Sequence, residues 1–102
     1  MELQETFDRF LADMKLEGKA DMTLVEYSNR LSRFKKYLIH HKKALNEVKH
    51  DDIVKFTREM FKNNLNSTTI KCELSTIYVY SLWAVKNGIL NHVFLSPADY
   101  PK

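Results

Sequence analysis

Apolar residues recur along this chain at steps of three and four, the spacing that places them on one face of a helix, in four separate segments. The first predicts a helix over residues 3–17, with Leu3, Phe7, Phe10, Leu11 and Met14 on its stripe. Gly18 follows, the residue type that accepts the left-handed turn at a helix end. The second stripe is Leu24, Tyr27, Leu31, Phe34 and Leu38. It is expected to begin at Thr23, where Thr23 and Glu26 have the spacing of a capping box. Residues 40–50 read as a connector, with Leu45 and Val48 tucked under the bundle. A third helix is expected over 51–63, because Asp51 and Asp52 suit the positive end of the dipole and Ile53, Phe56 and Met60 form its stripe. The fourth and longest is expected over 67–87, capped by Ser67 and stopped at Gly88, with Ile70, Leu74, Ile77, Tyr78, Ala84 and Val85 inward. Residues 89–102, with Pro97 and Pro101, read as an irregular tail.

Composition narrows the class. A chain of 102 residues supports one modest core. With 44% hydrophobic residues it has the apolar content a disordered tail lacks, and two Gly and two Pro are too few for a turn-rich β domain. No apolar run reaches membrane-spanning length, and the acidic, amphipathic start resembles no leader. Cys72 stands alone, so an intrachain disulfide is excluded and a cytoplasmic address is expected. The net charge of +3 is unevenly spread: residues 1–26 carry seven acids against three bases, residues 27–62 ten bases against four acids. A polyanion bound on one side suits that asymmetry.

The order of motifs resembles the N-terminal core-binding domain of tyrosine recombinases, the phage integrase family. Thr23, Tyr27, Leu31, Phe34, Tyr37 and Leu38 match the second helix of that domain. Leu45 to Phe56 matches its connector and third helix, and Ser67, Thr69, Ile70, Leu74, Trp83, Ala84, Gly88 and Ile89 match its fourth. Lys49 stands where the family often has a capping Thr, and Val93-Phe94 where an Asn-Pro is common. The resemblance covers residues 3–92. It implies an all-α, four-helix SAM-like orthogonal bundle over residues 1–92, with residues 93–102 as the start of an interdomain linker. It further implies a clamp on double-stranded DNA for integration or recombination, with helices two and four facing the major groove. The partners implied are a catalytic domain of the same parent chain and other protomers, in a tetramer at full length. The cleaving Arg, His and Tyr belong to that catalytic domain, so this segment is expected to catalyse nothing.

On a 100° wheel, Asn29, Arg33, Lys36 and His40 point away from the second stripe, with Arg30 on its flank. Such cations neutralise phosphates and release counterions. The first half of the fourth helix carries small polar residues outward: Thr68, Lys71, Cys72 and Ser75, flanked by Thr69. Short hydroxyl side chains let a helix approach a duplex closely. The residues expected at DNA are therefore Lys19, Thr23, Arg30, Arg33, Lys36, Thr68, Thr69, Lys71 and Ser75. The bland alternative is an ordinary solvated face with Ser67 to Thr69 serving only as a cap.

Val79, Leu82 and Trp83 lie opposite the inner stripe. Either helix one or the tail covers them, or they form a docking patch. His40, His41, His50 and His92 lack metal-ligand spacing, and no phosphate-cradling loop exists, so neither a metal nor a cofactor is expected. Two other functions suit the same surface: a helical protein–protein module with a basic face, and a stand-alone DNA-binding regulator.

Overall fold

The helices of this chain end in the same way, and those endings set the shape of the bundle. The computed structural model describes residues 2–102, with α1 at Leu3–Leu16, α2 at Asp21–His40, α3 at His50–Lys62 and α4 at Ser67–Lys86. Each is followed within two residues by one position of positive φ: Gly18 (92°), Lys42 (54°), Asn64 (66°) and Gly88 (73°). The next amide then reaches back into the last turn: Lys19 N–H to the Met14 carbonyl (3.1 Å), Lys43 to Leu38 (2.9 Å), Leu65 to Met60 (3.1 Å) and Ile89 to Ala84 (2.8 Å). Helix carbonyls that would otherwise lack donors are thereby satisfied. Gly18 and Gly88 mark two of these turns in the sequence. Lys42 accepts a conformation that costs an L-residue about 1 kcal/mol, which the surrounding packing must offset.

The helix starts correct two expectations. α2 begins at Asp21, behind an Ala20 cap position that makes no side-chain hydrogen bond, so the Thr23–Glu26 capping box does not form. The Gly18 turn redirects the chain two residues earlier, and Asp21 occupies the first turn where the dipole favours an acid. At α4 the cap is Asn66, not Ser67: the Asn66 Oδ1 accepts the Thr69 N–H at 2.8 Å, and Ser67 is the first helical residue. α3 has no side-chain cap from Lys49, yet the Asp52 carboxylate accepts the Lys49 N–H at 2.9 Å.

One core joins all four helices: Phe7, Phe10 and Met14 from α1; Leu31, Phe34, Tyr37 and Leu38 from α2; Ile53, Phe56 and Met60 from α3; Ile70, Leu74, Ile77, Tyr80, Trp83 and Ala84 from α4. Val48 from the connector is buried with them, as its position in the pattern implies. The tail contributes Leu90, Phe94 and Leu95 to the same core, and the Phe94 ring lies 6.3 Å from Phe34. A short helical turn at Pro97–Asp99 follows, where Asp99 meets His50 at 2.6 Å. The tail is irregular, and it is packed.

α1 resolves the question of Trp83. The indole is buried among Phe10 (5.6 Å between centroids) and Tyr80 (6.0 Å), and its N–H donates to Asp13 at 2.8 Å. Helix one therefore covers that side of α4, and a docking patch built on Trp83 is ruled out. Leu82 stays exposed and Val79 is half-buried.

Candidate nucleic-acid interface

α2 and α4 lie side by side and antiparallel, because their polar flanks pair in register. Arg33 Nη1 is 3.1 Å from Glu73 Oε1, and one turn away Arg30 Nη1 donates to the Thr76 hydroxyl at 3.2 Å. Arg30 also pairs with Glu26 on its own helix at 3.1 Å. These contacts extend the apolar seam of Leu31, Phe34 and Ile77 with a polar edge at the surface.

The nine expected residues can now be placed, and none of them is buried. Arg30 and Arg33 sit on the α4-facing flank of α2; Lys36 is exposed on its outer face, most of a turn beyond Arg33. Thr68, Lys71 and Ser75 share the outer side of α4, with Lys71 on the edge turned away from the α2 seam. Thr69 is half-buried and its amide is held by Asn66. The register brings the Thr76 hydroxyl of α4 against Arg30 of α2. Thr23 lies near the start of α2, at the far end of the seam from Lys36. Lys19 is exposed in the α1–α2 turn, in a shallow depression shared with Trp83, Leu82 and Lys86, and so belongs to that far end as well.

Beyond Arg33 the surface turns toward α3. Arg33, Lys36 and His40 stand along a cleft of about 360 Å³ whose apolar wall is Tyr37, Phe56, Met60 and Leu65. Glu59 contributes an acid there and lies 3.8 Å from His41.

The inner stripe expected for α4 leaves out Glu73. Its side chain is fully shielded, at 0% exposure, between Ile70 and Ile77 on the inner side of α4. One signal is present in the sequence: Glu73 shares an angular position with Ile70 and Ile77, where an acid is out of place unless a cation meets it. Burial pushes its carboxyl up from 4.5 to about 8, against the opposing pull of Arg33 and Arg30. Arg30 is thus paired with Glu26, whereas Glu73, held near 8, is mainly protonated at neutral pH and leaves Arg33 its charge; the positive charge of the face rests on Arg33, Lys36 and Lys71. A helical face of this make-up, with cations beside short hydroxyls, has the chemistry to hold phosphates.

Comparison with known families decides between the architectures such a face permits. The family described as phage integrase, N-terminal SAM-like domain, matches residues 7–88. The chain belongs to that family. Comparison with curated proteins and with solved structures gives no match. The SAM-like match begins within α1 and ends at Gly88, so it takes in the α2–α4 seam and leaves out the tail that closes the core. The match marks the chain as a recombinase-related DNA-binding domain. No helix among the described residues of this SAM-like domain is long and apolar enough to cross a membrane.

Proposed function

We propose that this domain grips duplex DNA as the core-binding arm of a tyrosine recombinase, with α2 and α4 against the major groove. The observation that carries the reading is the Arg33–Glu73 and Arg30–Thr76 register, which joins the cationic flank of α2 to the hydroxyl-bearing side of α4. Lys36 and Lys71 meet phosphates and set position; Arg33, Thr69 and Ser75 lie where base edges would be read. Lys19 and Thr23 extend the contact at the far end of the seam. Catalysis belongs to a separate domain of the parent protein, and residues beyond the packed tail would lead to it. In the cell the partners are the duplex, that catalytic domain and further recombinase protomers.

Fluorescence anisotropy with a duplex, titrated with salt, tests this. The expected slope corresponds to roughly 3–6 released counterions. Lys36→Ala combined with Lys71→Ala is expected to lower it by about 2, since each lysine neutralises one phosphate. Absence of binding to any duplex at ~50 mM salt refutes the reading. A protein-docking module is then favoured instead, on the exposed Leu16, Met22, Val25 and Leu82.

A further inference from the structure

Glu73 is a charged-type side chain with no contact to solvent, and only half of its carboxyl is satisfied. Oε1 accepts from Arg33, whereas Oε2 is buried without a hydrogen-bond partner among the described residues. An ionised carboxylate held this way leaves a full desolvation penalty on one oxygen, and protonation relieves it. The groups acting on it from α2 are Arg33 and Arg30. Arg30 is already engaged by Glu26 and Thr76. Further along the cleft stand Lys36 and His40 of α2, and from α3 Glu59, which faces His41.

Arg33 looks both ways. Its side chain is 43% exposed while its carboxylate partner is 0% exposed. A guanidinium has five N–H donors in a planar fork, so Glu73 can occupy one edge while the other meets a ligand from solvent.

We infer that Glu73 is the positioning residue for the DNA-contacting guanidinium of Arg33, and that a DNA phosphate and the Glu73 carboxylate compete for its charge, so that DNA binding draws a proton onto Glu73. The inference rests on the DNA-binding reading above. A phosphate on the outer edge of Arg33 cancels the field that favours the ionised carboxylate, so the bound state prefers neutral Glu73. Conversely, an ionised Glu73 spends the positive charge of Arg33 inside the protein and weakens its hold on DNA. Since the carboxyl of the free protein changes charge near pH 8, binding is expected to weaken as pH rises through that region.

The 102-residue chain is tested at constant salt by anisotropy with one duplex at pH 7 and pH 9, as wild type and as Glu73→Gln. Wild type is expected to bind about tenfold more weakly at pH 9, the effect of one proton taken up on binding over the single unit above the midpoint near 8. Glu73→Gln keeps a neutral acceptor for Arg33 and is expected to change by less than about twofold, because it has no proton to exchange. The second measurement is a carboxyl-carbon NMR titration of Glu73 in wild type, with and without the duplex. Its midpoint is expected to rise when DNA is bound, and this decides the matter even where Glu73→Gln folds poorly. Duplex binding with the same pH profile in both proteins, or a midpoint that DNA leaves unmoved, overturns the role of Glu73 and leaves the DNA reading intact. No duplex binding by wild type at either pH overturns both.

Discussion

Glu73→Gln is expected to make folding stability nearly independent of pH between pH 5 and pH 9 relative to wild type. In the unfolded chain the carboxyl titrates at 4.5, and in the fold burial holds it near 8. Below pH 4.5 both states carry the proton and the raised value costs nothing. Between the two values the folded state keeps a proton that the unfolded state gives up, so wild type loses stability as pH rises and levels off above pH 8. A separation of this size corresponds to roughly 3–5 kcal/mol, at about 1.4 kcal/mol for each unit. Full burial means that solvent screening does not reduce it. Urea midpoints of both proteins at pH 5 and pH 9 check the point: they should nearly coincide at pH 5 and separate in favour of Glu73→Gln at pH 9. Equal pH slopes would mean that the carboxyl is not shielded as described. A total stability for a domain of this size is about 5–15 kcal/mol, so the effect is a large share of the whole.

Phe10→Ala is expected to cost about 3–5 kcal/mol, the range for removing a large buried aromatic. Phe10 has no exposure and lies within 5.5–5.9 Å, centroid to centroid, of Tyr80, Trp83 and Tyr27. It is the point at which α1, α2 and α4 meet, and the cavity left behind would be lined by three rigid rings that cannot close it. Trp83 reports the change directly. Its emission should shift to the red and its unfolding midpoint in urea should fall; a loss under about 1 kcal/mol would show that the rings collapse into the space.

How much of this is legible in the sequence follows from the kind of interaction involved. The stripes of α1, α2 and α3 are readable because Phe7, Phe34 and Ile53 each sit in a regular three-and-four spacing that only one face can satisfy. The family resemblance, carried by Thr23 to Leu38 and Asn66 to Leu90, matches the SAM-like domain found over residues 7–88. α4 is harder, because it is buried over most of its circumference and its apolar period is blurred. Tyr80 escapes the pattern there although it is wholly shielded, bonded to Thr6 at 2.7 Å across 74 residues of sequence. Glu73 escapes it for a related reason. Its partner Arg33 is 40 residues away, and only the packing of α2 on α4 brings them together. The helix starts differ from expectation because Asn66 and Ala20, both outside the expected boundaries, take the cap positions. The tail is opaque as well: Phe94 and Leu95 show no periodicity, since an irregular segment buries side chains wherever a gap in the core happens to lie.

The bridges between α2 and α4 span 40 and 46 residues of chain, and that separation has a consequence for biosynthesis. A nascent polypeptide that has emerged only through α3 already has α1 packed on α2, but its Arg30 and Arg33 lack the Thr76 and Glu73 that fix them. Closing a loop of this length carries an entropic cost that is recovered only when α4 arrives and docks. The polar edge between α2 and α4 therefore comes into being late and as a whole, and a ribosome-bound fragment cut short before Ser67 would carry these cations without the partners that orient them.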